Sequence, residues 1–121
     1  MPLCIGIDLT DVEQIRESVR AHGDRYLGRV YTEAERRECG SSVRRLAASF
    51  AAKEATMKAL ACEEQLPWQS IAVARDAAGR PTLQLSGAAA ALARERGVAE
   101  LDVSFTHARS HAAAIVIGRA R

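Results

Sequence analysis

The stretch Ser42–Ala61 constrains the fold most: twenty residues, rich in alanine, with neither glycine nor proline. Such a run predicts one long helix, because alanine loses no side-chain entropy and nothing interrupts the hydrogen-bond ladder. Leu46, Phe50, Met57 and Leu60 fall on one apolar stripe at about 100° per residue. Glu54 and Lys58 border that stripe, where a side chain can reach a cleft while the helix stays anchored in a core. Lys53 and Lys58 are the only lysines in the chain, against fifteen arginines. Two compact ammonium groups around one glutamate suit a site that needs a point charge. The alternative is a surface Glu54–Lys58 pair contributing about 0.2–0.5 kcal/mol.

The remaining elements follow from local signals. Leu3–Leu9 is short and rich in β-branched residues, and predicts a buried strand that reaches an acidic residue, Asp8. Thr10 and Glu13 form a capping-box pattern ahead of a helix from about Asp11 to Arg20, which Gly23 and Asp24 end. Thr32 and Glu35 repeat the pattern for a short polar helix to about Glu38. Ile71–Arg75 and Thr82–Leu85 predict a hairpin around the turn Asp76–Pro81. Ser86 caps a helix over about Gly87–Arg96, stopped by Gly97. Two further strands follow, one carrying Leu101, Val103 and Phe105 and the other Ala113, Ile115 and Ile117. This β-α-α-α-β-β-α-β-β order predicts an α+β fold. It is expected as a single domain over residues 1–121, with a small antiparallel sheet packed against the long central helix. A chain of 121 residues buries enough surface to fold without disulfides or metal.

Several function classes are excluded on composition. Seventeen basic and fifteen acidic residues leave a net charge of +2, too balanced for the broad basic face of a nucleic-acid binder. The longest apolar run, Ala112–Ile117, is far short of the ~20 residues that span a membrane. Asp8 falls where the apolar core of a signal peptide would lie. The three cysteines, Cys4, Cys39 and Cys62, form no Cys-x-x-Cys pair. They predict reduced thiols in a cytoplasmic protein and exclude a cysteine-bound zinc. No Gly-x-Ser-x-Gly elbow and no glycine-rich phosphate loop occurs.

Two carboxylates are candidates for chemistry. Asp8 lies in an otherwise apolar strand, where an unpaired charge is costly, and Glu54 borders the core stripe. If helix packs on strand, both converge on one divalent cation, and magnesium commonly takes one or two carboxylates plus water and phosphate oxygens. With a lysine beside them, the group suits phosphoryl transfer, where positioning and charge neutralisation supply most of the catalysis. The alternative leaves Asp8 as a helix cap and Glu54 solvated. His107, ending its strand, is either a hydrogen-bonded structural residue or a ligand contact.

These blocks together resemble the holo-acyl-carrier-protein synthase family, the small 4′-phosphopantetheinyl transferases. The resemblance runs from Gly6-Ile7-Asp8-Leu9 through Ser49-Phe50-Ala51-Ala52-Lys53-Glu54-Ala55 with Lys58, and Gly79-Arg80-Pro81, to Val103-Ser104-Phe105-Thr106-His107. It implies that phosphopantetheine passes from coenzyme A to a serine of an apo acyl carrier protein, in fatty acid or polyketide biosynthesis, with release of 3′,5′-ADP. It further implies Asp8 and Glu54 as Mg2+ ligands and Glu54 and Lys58 as catalytic groups. Lys53, Lys58 and His107 are implied as contacts to coenzyme A, and the assembly as a homotrimer with a coenzyme A site at each subunit interface. Arg16, Arg20, Arg25 and Arg29 are expected to face the acidic carrier.

The chain also departs from the family pattern. Many members carry arginine where Ser49 stands, and a Gly-Thr-Gly loop where this chain has Ala61-Cys62-Glu63-Glu64-Gln65. Those departures motivate a rival expectation, a non-catalytic trimeric homologue that binds a carrier or partner protein.

Overall fold

The computed structural model describes residues 3–120. The chain forms β1 (Leu3–Asp11), α1 (Val12–His22), α2 (Asp24–Val30), α3 (Glu33–Cys39) and α4 (Val43–Ala59). A 3-10 turn, Trp68–Ser70, then leads into β2 (Ile71–Arg75), β3 (Pro81–Leu85), α5 (Gly87–Glu95), β4 (Val98–His107) and β5 (His111–Ala120). β1, β5 and β4 make an antiparallel three-stranded sheet in that order, while β2 and β3 pair as a separate hairpin. The α+β expectation therefore holds, with one more helix than the sequence predicts.

That helix is α2. Gly23, at φ 50°, does break the chain after α1, and its backbone N–H closes on Val19 O at 2.8 Å. Yet Asp24 opens a new helix at once, which buries Tyr26 and Val30. Tertiary burial of these residues outweighs the weak local signal for a seven-residue helix.

Capping also differs at α1. Asp11, not Thr10, caps it by accepting from the Glu13 N–H at 2.8 Å. Thr10 Oγ1 turns back and donates to Asp8 Oδ2 at 2.7 Å. The second predicted capping box is present in full at Thr32 and Glu35. α4 starts next to Ser42 as expected, and Ser42 caps it by accepting from the Arg45 N–H at 3.2 Å.

The core is built where α4 lies across the inner face of the sheet. Ala51, Ala52, Ala55 and Ala59 pack on Ala114 and Val116, with Leu101, Val103 and Phe105 alongside. Small side chains on both surfaces let the backbones approach closely, and Gly6 is the limiting point of contact. A Cβ at Gly6 would overlap the Ala55 carbonyl oxygen and come within 2.6 Å of Ala59 N.

β1 is not the buried strand that its apolar composition predicts. Only its inner face, Cys4, Gly6, Asp8 and Thr10, turns toward α4. Leu3, Ile5, Ile7 and Leu9 point away from it with 50–69% of their surface exposed. Ile5 pairs with Ile117, and Ile7 with Ile115. The apolar face thus continues from β1 onto β5.

Candidate active site

Strand alternation and the Gly6 contact bring Asp8 beside the C-terminal half of α4, where Glu54 and Lys58 lie one turn apart. The Asp8 carboxylate is only 13% exposed, and both its oxygens are engaged. Oδ2 accepts from Thr10 Oγ1 at 2.7 Å. Oδ1 lies 3.3 Å from Lys58 Nζ, which also donates to the Ile7 carbonyl at 3.0 Å. Asp8 therefore does not cap a helix, and the ion-pair partner of Lys58 is Asp8 rather than Glu54.

Glu54 is half-buried and faces the same cleft, of about 430 Å³. Burial pushes its carboxyl above the usual carboxylate range, and the negative charge of Asp8 pushes the same way, while the Lys58 ammonium opposes both. Phe50 and Trp68, ring centroids 4.9 Å apart, form an apolar wall of this cleft. Arg29 from α2 lines it as well.

The donor set fits magnesium. It consists of carboxylate oxygens, with no thiolate or imidazole among the residues lining the cleft. Burial and the Asp8 charge both disfavour ionisation of Glu54, a penalty that a divalent cation would relieve.

Lys53, expected as a coenzyme A contact, requires a correction. Its side chain is wholly buried and its ammonium pairs with Glu35 Oε1 at 2.9 Å. It also donates to the carbonyls of Trp68 at 3.2 Å and Ile71 at 2.5 Å. These acceptors account for its three donors, so none is left for a ligand. Burial lowers the Lys53 pKa, and the Glu35 carboxylate offsets part of that effect.

Glu35 is the residue the sequence reading missed. It is 2% exposed, and besides Lys53 it holds the Thr32 N–H at 2.8 Å and the Val73 N–H at 2.6 Å. One carboxylate thus ties α3, α4 and β2 together. Its capping-box position was visible, but its burial arises from a strand 38 residues further on.

His107 stands apart from the other candidates. It ends β4 and lines a second cleft of about 340 Å³ with Arg45, Ser49 and Phe105. The two clefts share no lining residue. Ser49 Oγ is buried in this second cleft without a hydrogen-bond partner among the described residues.

The 4′-phosphopantetheinyl transferase superfamily model matches residues 4–116. A holo-acyl-carrier-protein synthase of Koribacter versatilis is 43% identical, covering 97% of this chain and 98% of its own length. That of Chloroflexus aggregans is 44% identical, covering 93% and 91%. Among solved structures, a Chronobacterium ammoniagenes ACPS–CoA complex superimposes with a TM-score of 0.86 at 28% identity, covering 100% of this chain and 99% of that one. The Mycobacterium tuberculosis acyl carrier protein synthase gives a TM-score of 0.77 at 34% identity, covering 98% and 97%. With most of its length matched, the chain belongs to the 4′-phosphopantetheinyl transferase superfamily.

Proposed function

We propose that the protein is a magnesium-dependent holo-acyl-carrier-protein synthase. It moves 4′-phosphopantetheine from coenzyme A to a serine hydroxyl of an apo acyl carrier protein and releases 3′,5′-ADP. The observation that carries this reading is the meeting of Asp8 and Glu54 at one cleft, with the Lys58 ammonium seated on the Asp8 carboxylate.

Asp8 and Glu54 are the residues that would hold the cation. Magnesium, when bound, supplies charge neutralisation to the diphosphate of the co-substrate. Thr10 fixes the Asp8 carboxylate, so its orientation precedes ligand binding. Glu54, a carboxylate of raised basicity within the cleft, is suited to accept the serine proton. The Lys58 ammonium, on a flexible and largely exposed stem, can follow charge developing on the phosphate oxygens.

A homotrimer is part of the same reading. The outer face of the sheet presents Leu3, Ile5, Ile7, Leu9 and Ile117 with 42–69% exposure, a contiguous apolar surface that an isolated chain would leave wet. His107 lies in a different cleft from Asp8, which supports a coenzyme A site assembled between one protomer's acidic cleft and its neighbour's His107 cleft. Three free cysteines accord with a reducing, cytoplasmic setting.

The test is direct. The protein is incubated with an apo acyl carrier protein, coenzyme A and magnesium, and the carrier is weighed by mass spectrometry. A phosphopantetheine adduct that vanishes on chelation supports the reading. Carrier binding without any adduct, on fatty-acid and polyketide carriers alike, would instead favour the non-catalytic homologue.

A further inference from the structure

The position of Lys58 carries a consequence for cation binding. Its ammonium is seated by two oxygens, Ile7 O at 3.0 Å and Asp8 Oδ1 at 3.3 Å, the second belonging to a carboxylate that is otherwise 13% exposed. A surface lysine free to choose would hydrate, since isolated exposed pairs are barely favourable. Here a backbone carbonyl and a shielded carboxylate together define a seat. Thr10 holds the other Asp8 oxygen, so the carboxylate cannot rotate away from the ammonium without losing that hydrogen bond.

From this geometry we propose that Lys58 is a built-in competitor of the divalent cation. In the metal-free protein its ammonium is the counter-ion of Asp8, and the cation takes Asp8 only as the ammonium leaves its seat. The inference rests on the Asp8–Glu54 cation site of the proposed function and adds to it a second, protein-borne occupant. Its physical basis is mutual exclusion of like charge. A cation on Asp8 Oδ1 would put two positive charges a few ångströms from the ammonium, a repulsion only partly screened beside a half-buried Glu54. The freed ammonium then stands at the rim of the cleft, available to an anionic ligand. The stem is flexible enough for the move, with 56% of the side chain exposed. The exchange stores neutralising charge at Asp8 until the cation arrives, so the Asp8 carboxylate is never left uncompensated.

The test uses Mn2+ as the probe, binding being followed by calorimetry and by loss of the free-ion electron paramagnetic resonance signal. No coenzyme A or carrier is present. Lys58→Met removes the competitor, Lys58→Arg keeps a positive charge, and Asp8→Asn removes the seat. Lys58→Met should bind Mn2+ on the order of tenfold more tightly than the unaltered protein. Lys58→Arg should stay within about twofold of it, and Asp8→Asn should lose binding. Equal or weaker binding by Lys58→Met, with binding still dependent on Asp8, overturns the inference and leaves the cation site standing. No Asp8-dependent binding in any of the proteins removes both. Melting curves check that each variant is folded, which is expected because Lys58 is exposed and Asp8→Asn keeps the size and shape of the side chain.

Discussion

At the scale of single residues, the acidic cleft and the buried Lys53–Glu35 pair call for opposite effects on substitution. Glu54→Gln removes a carboxyl whose ionisation burial and Asp8 oppose, so thermal stability should be unchanged or slightly raised. Asp8→Asn removes the Lys58 counter-ion and should lower it slightly. Transfer to the carrier should fall by about 10²- to 10⁴-fold in each, measured as initial rates by carrier mass. Full activity in Glu54→Gln would refute its role. Lys53→Met leaves Glu35 charged, 2% exposed and short of its cation. A loss of about 3–5 kcal/mol in denaturant unfolding is expected. Adding Glu35→Gln to it should cost less than the two single losses summed, because the pair is one unit. A pH dependence follows from Glu54. Its carboxyl is raised in the folded protein by burial first and by Asp8 second, against the pull of Lys58. The folded state therefore holds a proton that the unfolded state has released, and metal-free stability should decline as pH rises through the range just above the ordinary carboxylate value. Unfolding midpoints across that range should show the decline in the unaltered protein and a flatter profile in Glu54→Gln.

At the scale of elements, the contact between β1 and α4 sets the site. Asp8 is carried by β1, and Glu54 and Lys58 by α4, so their separation is decided by how closely strand and helix approach. Gly6 permits that approach. Gly6→Ala would drive a methyl group into the Ala55 carbonyl. It should destabilise the fold by about 3 kcal/mol or more, and any folded fraction should transfer more slowly, because β1 must lift away from α4. Stability close to that of the unaltered protein, read from urea melts, would contradict this packing account. The alanines of α4 belong to the same logic. Their sequence reading as helix formers was sound, but their second role, a smooth surface for the sheet, follows only from the partner they meet. The sequence gives only a weak signal for α2 for a related reason, since a helix this short is stabilised by Tyr26 and Val30 in the core rather than by propensity.

At the scale of the whole molecule, the exposed face of the three-stranded sheet is the dominant unsatisfied feature. Ile5 and Ile117 stand side by side in register and are 63% and 42% exposed. The unaltered protein is expected to sediment as a trimer. An Ile5→Glu, Ile117→Glu double variant should sediment as a monomer with unchanged far-ultraviolet circular dichroism, since both side chains lie on the exposed face of the sheet, outside the core. The monomer should also lose transfer, because the acidic cleft and the His107 cleft share no lining residue within one protomer. A monomeric unaltered protein at micromolar concentration, fully active, would overturn this arrangement.

What the order of residues determined unaided is the local grammar. The Thr32–Glu35 capping box, the alanine helix, the hairpin around Asp76–Pro81 and the α+β class all depend on neighbours a few positions apart, and all are present. Spacing also singled out Asp8, Glu54 and Lys58, since the acidic residue in a strand and the pair beside a helical stripe are visible as patterns. Only the tertiary structure decided which face of β1 turns inward, that Lys53 is sealed against Glu35, and that His107 lines a separate cleft. Periodicity states how side chains are distributed around an element. It does not state what stands opposite them, because that is settled by contacts between segments tens of residues apart.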